Sequence, residues 1–246
     1  MSETAIHLEN VRVGYGRRRV LDGLDLRVER GTVNGLLGLN GSGKTTLMRL
    51  LNGLLPPSGG TVRVLGLDPW RQRVALQRRL AFMPEHPALY DDLDAGSFLR
   101  FCRRLHPAFD LVGARDRLEA LGVPLGTRLG RLSRGQRGLV SLSAALARRA
   151  EVLLLDDPTL GLDLPARRNL YRTILEDLAE RDTAVLFATH QPAEVEGILT
   201  HVAFLRDGRI VAGGPLDELK RARAGEATAP DLEELTFQIL GGQDAA

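Results

Sequence analysis

A complete phosphate-binding loop is the feature that most constrains what this chain can fold into. Residues 38–46 read GLNGSGKTT and match the pattern G-x-x-x-x-G-K-[ST]. Its glycines let successive backbone N–H groups approach a phosphate closely, and the following helix turns its positive end toward the same point. The pattern predicts that Lys44 reaches the outer phosphates and that the Thr45 hydroxyl binds Mg²⁺. The loop therefore predicts that the protein binds a nucleoside triphosphate.

The segments around the loop predict an α/β fold. Short apolar runs, each bounded by a turn or a helix, are typical of a parallel sheet covered on both faces; they are Val33 to Leu37, Leu80 to Met83, Val152 to Asp156 and Ala184 to Thr189. A helix is expected from about Thr46 to Leu51, directly after the loop. Alternating segments predict a small separate β-sheet made of Ile6 to Val13, Leu24 to Val28 and Thr61 to Leu65.

A helical insertion interrupts the predicted α/β core, since no strand pattern occurs between residues 85 and 131. Helical patterns are found instead at Ala95 to Leu105, Val112 to Leu121 and, beyond the insertion, Leu139 to Arg149. We expect one domain over residues 1–220, with a helical subdomain at about 86–138, followed over 221–246 by a short helix and a flexible tail. The short helix is expected at Leu232 to Leu240.

Composition narrows the class of protein. The 246 residues are 43% hydrophobic, and no apolar run approaches the roughly 20 residues that span a bilayer. The N-terminal segment lacks the pattern of a secretion signal, and the single cysteine, Cys102, rules out a disulfide framework and suits a reducing compartment. A net charge of +2 with scattered arginines does not favour nucleic-acid binding. We therefore expect a soluble cytoplasmic protein without a nucleic-acid partner.

Two adjacent carboxylates follow one predicted strand, in the sequence Leu153 to Pro158. Because ligands bind at the carboxyl ends of parallel strands, this pair is expected to meet the phosphates. Asp156 fits the role of a Mg²⁺ ligand, directly or through water, and Asp157 that of the group that orients or deprotonates an attacking water.

A second phosphate-compatible segment, LSRGQ at residues 132–136, precedes the helix predicted from Leu139. Ser133 can cap that helix, and Gly135 keeps its end open to a phosphate. By itself the segment favours an ordinary capped helix. Its place in the order of motifs, between the phosphate loop and the carboxylate strand, favours a functional interpretation.

In that order of motifs the chain resembles the ATP-binding-cassette (ABC) ATPases, specifically the nucleotide-binding subunit of an ABC transporter, over about residues 5–220. Three more positions match family motifs: Tyr15 the aromatic residue that stacks on adenine, Asp163 the loop that crosses to the dimer partner, and His190 the switch histidine that contacts the γ-phosphate. The resemblance thus implies an ATP site, with Mg²⁺, at Tyr15, Gly38, Leu39, Asn40, Gly41, Ser42, Gly43, Lys44, Thr45 and Thr46.

The resemblance also implies a shared site, in which two cassettes close head to tail around ATP. Ser133, Gly135 and Gln136 would then serve the ATP of the partner subunit. Closure would drive an integral membrane permease at the inner face of the cell membrane. MPEHP at residues 83–87 and LLLDDPTLGLD at 153–163 are similar to cassettes of bacterial exporters encoded apart from their permease.

Three positions depart from the family pattern. Asp157 stands where a glutamate is usual, and the lost methylene withdraws the carboxylate by roughly 1.5 Å. This predicts either slow hydrolysis or a nearby backbone shift or extra water that restores the reach. Glu85 replaces a glutamine that meets Mg²⁺ and is expected to remain a metal ligand. Arg134 lies inside LSRGQ, which matches the signature segment of the family. Either the family fold tolerates an arginine at this position, or the arginine adds a contact to the bound triphosphate.

Other classes are less consistent with the sequence. A GTPase would need N-K-x-D, and neither of the two lysines, Lys44 and Lys220, follows an asparagine. A small-molecule kinase would not explain LSRGQ. A soluble ABC ATPase without a permease, for example in cofactor assembly, remains the alternative.

Overall fold

A computed structural model describes residues 3–159, 162, 164–224 and 229–241. Asp163, the predicted dimer-crossing residue, lies outside the described residues. The strands are β1 (Thr4–Tyr15), β2 (Arg18–Glu29), β3 (Val33–Leu37), β4 (Gly59–Val64), β5 (Leu80–Met83), β6 (Val152–Asp156), β7 (Ala184–Thr189), β8 (His201–Arg206) and β9 (Arg209–Pro215). The helices are α1 (Lys44–Leu51), α2 (Arg73–Gln77), α3 (Ala95–Leu105), α4 (Leu111–Ala120), α5 (Arg134–Ala147), α6 (Leu164–Arg181), α7 (Pro192–Val195), α8 (Leu216–Ala222) and α9 (Leu232–Leu240).

The central sheet has six strands in the order β5-β6-β7-β3-β8-β9. The first five are parallel, and β9 pairs antiparallel with β8. All four apolar runs predicted as parallel strands are confirmed with the predicted bounds, and every residue of β3, β6 and β7 is buried. The carboxyl ends of β5, β6, β7 and β3 therefore meet along one edge of the sheet.

The predicted smaller sheet is present; it is antiparallel, and its strands lie in the order β2-β1-β4. β1 and β2 form a hairpin whose two turn residues are Gly16 and Arg17. Gly16 has φ 60°, the left-handed value that a type II′ turn requires at its first central position. Leu21 and Leu24 of β2 share one buried hydrophobic cluster with Leu47 and Met48 of α1. This cluster attaches the hairpin to the helix that follows the phosphate loop.

Helices α3, α4 and α5 lie between β5 and β6 in the chain and pack against one another. Asp94 and Asp110 cap the first two, each accepting from a backbone N–H three residues on. The predicted start of the third helix, at Leu139, is wrong, because α5 begins at Arg134. The Ser133 hydroxyl accepts from the backbone N–H of Gln136, whose side chain accepts from the Ser133 backbone N–H, and this capping box starts the helix five residues earlier.

The C-terminal helices pack beside the end of the parallel sheet. Glu196, directly after α7, accepts from Lys220 Nζ of α8 and from the backbone N–H of Leu232 at 3.0 Å. α9 has the predicted bounds, whereas the division of the chain at residue 220 and the subdomain limits of 86–138 stay predictions. No helix within the described ranges is long and apolar enough to cross a membrane.

Candidate functional site

The phosphate loop connects β3 to α1 and leaves the start of the helix open. Gly43 precedes α1 with φ 113°, and no side chain caps the first turn, so its backbone N–H groups face outward. Gly38 is tightly enclosed: a Cβ there would lie 2.5 Å from Ser42 Oγ and 2.6 Å from the carbonyl oxygen of Leu205. Only glycine fits that position without displacing the loop.

Lys44 is 8% exposed, and its ammonium group lies against the loop itself. Nζ donates to the carbonyl oxygens of Gly38 at 2.7 Å and Leu39 at 3.1 Å. Burial lowers the pKa of Lys44, and the negative charges of Asp157, Asp156 and Glu85 partly offset that effect. The ammonium is thus held where it can exchange carbonyl oxygens for phosphate oxygens.

A cavity of about 460 Å³ opens directly over the loop. Its lining contains seven of the predicted ATP-binding residues, namely Tyr15, Asn40, Gly41, Gly43, Lys44, Thr45 and Thr46. Glu85 and Asp157 complete its acidic side, and Arg18 and Val20 reach it from the hairpin. Of the remaining loop residues, Leu39 is 62% exposed, while Gly38 and Ser42 are buried beneath the turn.

Asp156 lies at the end of β6 and is almost inaccessible to solvent, with 1% exposure. Within the described part of the chain its Oδ2 has no hydrogen-bond partner. Burial raises the pKa of Asp156 to about 6; the Thr45 hydroxyl and the Lys44 charge oppose the rise, while Asp157 and Glu85 add to it. An unsatisfied buried carboxylate oxygen beside a loop threonine is the hard oxygen pair that Mg²⁺ prefers.

Asp157 and His190 are in contact, although they are 33 positions apart in the sequence. His190 Nδ1 lies 3.0 Å from Asp157 Oδ2, and the backbone N–H of His190 donates to Oδ1 at 3.4 Å. Asp157 has φ 44°, a left-handed conformation that aspartate tolerates better than most residues. These bonds, together with that from the Asp157 N–H to the Ala188 carbonyl at 2.8 Å, fix the carboxylate at the edge of the cavity.

The signature residues lie apart from this ensemble. The lining of the cavity over the loop includes none of Ser133, Gly135 and Gln136 within the described residues, and Ser133 is exposed. Arg134 instead points toward the loop after β5, where its Nη2 lies 3.4 Å from His86 Nδ1. A second cavity, of about 390 Å³, lies between them and reaches Glu85 and Asp157.

Comparison with known proteins decides the family. Residues 21–160, more than half of the chain, match the family described as ABC transporter. The chain belongs to the ABC transporter ATP-binding proteins. It is accordingly an ABC ATPase that binds ATP, and its α/β architecture is that of the cassettes.

Relatives match over most of the length of this ABC ATPase. The daunorubicin resistance ATP-binding protein DrrA3 of Streptomyces coeruleorubidus is 38% identical over 95% of this chain and 75% of its own length. The Nod factor export ATP-binding protein I of Paraburkholderia xenovorans (strain LB400) is 34% identical over 97% and 81%. A solved structure of the ATP-binding subunit of an ABC transporter has a TM-score of 0.85 and 26% identity, covering 96% of this chain and 99% of that one.

Two lining residues, Arg18 and Val20, were not predicted from the sequence. The signal was present in the hairpin turn at Gly16, because a two-residue turn places Arg18 opposite Tyr15. The partnership of Asp157 with His190 had no local signal, since only the pairing of β6 with β7 brings the two together.

Proposed function

We propose that this ABC ATPase is the ATP-hydrolysing subunit of an exporter and acts as a dimer on a separate membrane permease. The observation that carries the proposal is the convergence at one sheet edge of the phosphate loop, Asp156, Asp157 and His190. The export role is supported by relatives named for daunorubicin resistance, bacitracin transport (30% identical over 84% of this chain and 68% of the relative) and Nod factor export.

The dimeric arrangement is supported by the position of the signature residues outside the ATP cavity of their own subunit. Lys44 and Thr45 line it, but Ser133 and Gly135 do not, so each subunit offers half of a phosphate site and a signature segment elsewhere. A second copy, or a second cassette, completes the γ-phosphate contacts. ATP then stabilises the closed dimer because it adds contacts only there, and hydrolysis removes them.

For hydrolysis we assign the attacking water to Asp157, assisted by His190. The Asp157 carboxylate accepts the water proton, and the bonds from His190 hold that carboxylate in one orientation. The His190 side chain is 35% exposed, which leaves its imidazole available to contact the γ-phosphate. The short Asp157 side chain makes this turnover slower than a glutamate would.

The residues present also fit Mg²⁺, with Thr45, Asp156 and Glu85 as its protein ligands. The described residues hold no cluster of three or more His, Cys, Asp or Glu that could bind a metal by itself, so ATP oxygens must complete the set. Bound Mg²⁺ would neutralise charge on the phosphates. Asp156 and Thr45 would orient the nucleotide by holding that ion.

We place the permease against an exposed aromatic pair on the helical insertion. Tyr90 and Phe101 are 59% and 39% exposed and stack edge to face with centroids 5.8 Å apart. With Leu93, and with Asp91 and Asp92 at its rim, they line a pocket of about 450 Å³. A membrane subunit can insert a helix end here.

The proposal is tested by expressing the tagged chain with candidate permeases and purifying it from detergent-solubilised membranes. We expect a multi-span membrane protein to co-purify, Tyr90→Ala to reduce its recovery, and Trp70→Ala, an exposed aromatic elsewhere, to leave it unchanged. Recovery only from the soluble fraction, together with ATPase activity, would instead favour an ABC ATPase without a permease.

A further inference from the structure

The tip of the β1–β2 hairpin carries a basic side chain that the family motifs do not explain. Tyr15 and Arg18 are directly opposite each other in the β1–β2 register, at the end of the hairpin. Directly opposed residues of an antiparallel pair project from the same face of the sheet. The turn at Gly16 therefore commits Arg18 to the face that carries Tyr15.

That face covers the phosphate loop. Leu21 pairs with Val13, which lies two residues before Tyr15 and therefore on the same face, and Leu21 Cδ2 is 2.9 Å from where a Cβ on Gly43 would lie. Two residues of strand span about 6.6 Å, a distance that an arginine side chain can bridge. Arg18, Val20 and Tyr15 all line the cavity over the loop. The guanidinium of Arg18 is thus within reach of a phosphate bound there.

The charges around the cavity also favour a contact between Arg18 and a bound phosphate. Among the residues that the structure describes, Arg18 and Lys44 are the two basic residues in its lining, together with the carboxylates of Glu85 and Asp157. Arg18 is exposed and makes no ion pair with any residue that the structure describes, whereas Arg19 donates to Asp22 Oδ1 at 3.1 Å. An unpaired guanidinium over a phosphate loop is suited to bidentate phosphate binding.

We propose that Arg18 is a phosphate-binding residue of the nucleotide site, contacting the triphosphate from the hairpin while Lys44 contacts it from the loop. This inference rests on the proposed nucleotide site and adds a second cationic contact to it. Because the hairpin also carries Tyr15, one turn delivers both the base contact and a phosphate contact.

The test is displacement of a fluorescent ATP analogue, in Mg²⁺, by ATP and by inorganic triphosphate. For Arg18→Ala we expect both competitors to bind about tenfold more weakly, since each loses a charge-assisted hydrogen bond. Arg18→Lys should recover part of the loss. Arg17→Ala, which removes the same charge one residue away in the turn and outside the cavity lining, should match the parent. Thermal unfolding of each variant checks that the exposed substitutions leave the fold intact.

Three results would overturn the inference: unchanged affinity in Arg18→Ala, an equal loss in Arg17→Ala, or weaker ATP binding with unaltered triphosphate binding, which would place Arg18 at the base. Lys44→Ala separates this from failure of the site itself. If Lys44→Ala weakens ATP and Arg18→Ala does not, only the role of Arg18 is wrong. If Lys44→Ala also binds ATP normally, the nucleotide site is wrong as well.

Discussion

At the scale of single residues, Asp157 combines a short side chain with a fixed position. Its left-handed φ of 44° and its two contacts with His190 leave the carboxylate little freedom to advance toward a nucleotide. A catalytic group misplaced by about 1 Å can cost on the order of 10²-fold in rate. The same geometry that orders the carboxylate therefore limits its reach.

Asp157→Glu is expected to raise ATP turnover, up to about 10²-fold, because the added methylene advances the carboxylate. A small loss of thermal stability should accompany it, since glutamate is less suited to left-handed backbone than aspartate. Steady-state phosphate release measures the rate. Asp157→Asn, nearly the same size but unable to accept a proton, should be almost inactive. An unchanged or lower rate in Asp157→Glu would contradict the slow-base interpretation.

At the scale of elements, the N-terminus of α5 has two roles that substitution can separate. Ser133 Oγ accepts from the backbone N–H of Gln136 at 3.2 Å, and Gln136 Oε1 accepts from the Ser133 N–H at 3.1 Å. The exposed Ser133 is also the residue that we assign to the partner's ATP. A structural cap needs only an acceptor, whereas a phosphate contact needs a hydrogen-bond donor without negative charge, and the Ser133 hydroxyl can serve as both.

Ser133→Ala should lower the free energy of unfolding by about 1 kcal/mol, because the cap is lost. Ser133→Asp keeps a good cap and should retain the parent's stability, yet its charge would oppose the partner's triphosphate. Chemical denaturation measures the first effect, and size-exclusion chromatography with ATP measures dimer formation. Normal ATP-driven dimerisation of Ser133→Asp would argue against a phosphate contact at this position.

The side chain of Glu196 links both C-terminal helices to the segment after His190. Glu196 accepts from Lys220 Nζ and from the first backbone N–H of α9, at Leu232, and so bridges α8 and α9. Buried contacts of Leu232 and Leu235 add to this attachment.

Glu196→Gln should loosen α9 without unfolding the sheet, because a neutral amide binds Lys220 less strongly. We expect amide hydrogen exchange in 232–240 to accelerate about fivefold, with exchange in β6 and β7 unchanged. Glu218→Gln is the control, an exposed glutamate of α8. Equal acceleration in both variants would show that the bridge is not what holds α9.

At the scale of the whole molecule, Glu151 links the segments that lead into three strands, β5, β6 and β3. It lies on the side of the sheet opposite the nucleotide. Its carboxylate accepts from Arg79 Nη2 at 2.8 Å and from Arg30 Nη2 at 2.6 Å. Hydrogen bonds from Arg79 and then Arg30 lower the pKa of Glu151 to about 2, against the effect of burial. A pKa depressed from 4.5 stabilises the fold above about pH 4.5, and the stabilisation is lost as pH falls toward 2.

Glu151→Gln should therefore lower the free energy of unfolding at pH 7 by about 1 kcal/mol, a modest value because the side chain is 35% exposed and screened. The difference from the parent should shrink as pH falls from 4.5 toward 2, where the parent loses the same interaction. Urea denaturation at pH 7, 5 and 3.5 checks this. A difference that stays constant over that range would be inconsistent with an ionised Glu151 as its source.

The sequence predicts the features that depend on local residue patterns, and it does not predict those that depend on tertiary pairing. The four buried parallel strands could be predicted with their bounds, since each is an apolar run between breakers. β8 and β9 could not be predicted in this way, because their place at the edge of the sheet depends on the pairing of β8 with β3 and of β9 with β8. The start of α5 was misplaced because capping by Ser133 is stronger than the apolar period that begins at Leu139. The contact of Asp157 with His190 required the tertiary fold.

The pairing of β5 with β6 has a consequence for how such a protein can diversify. Met83 and Leu155 are neighbours in the sheet, although α3, α4 and α5 intervene in the chain. The two ends of the insertion are therefore held together by the hydrogen bonds between β5 and β6. Those bonds do not involve the residues of the insertion. Loops anchored in this way tolerate changes in length and sequence. A lineage could therefore exchange the surface around Tyr90 and Phe101, where we propose that the membrane subunit docks, while keeping the phosphate loop and Asp156 unchanged.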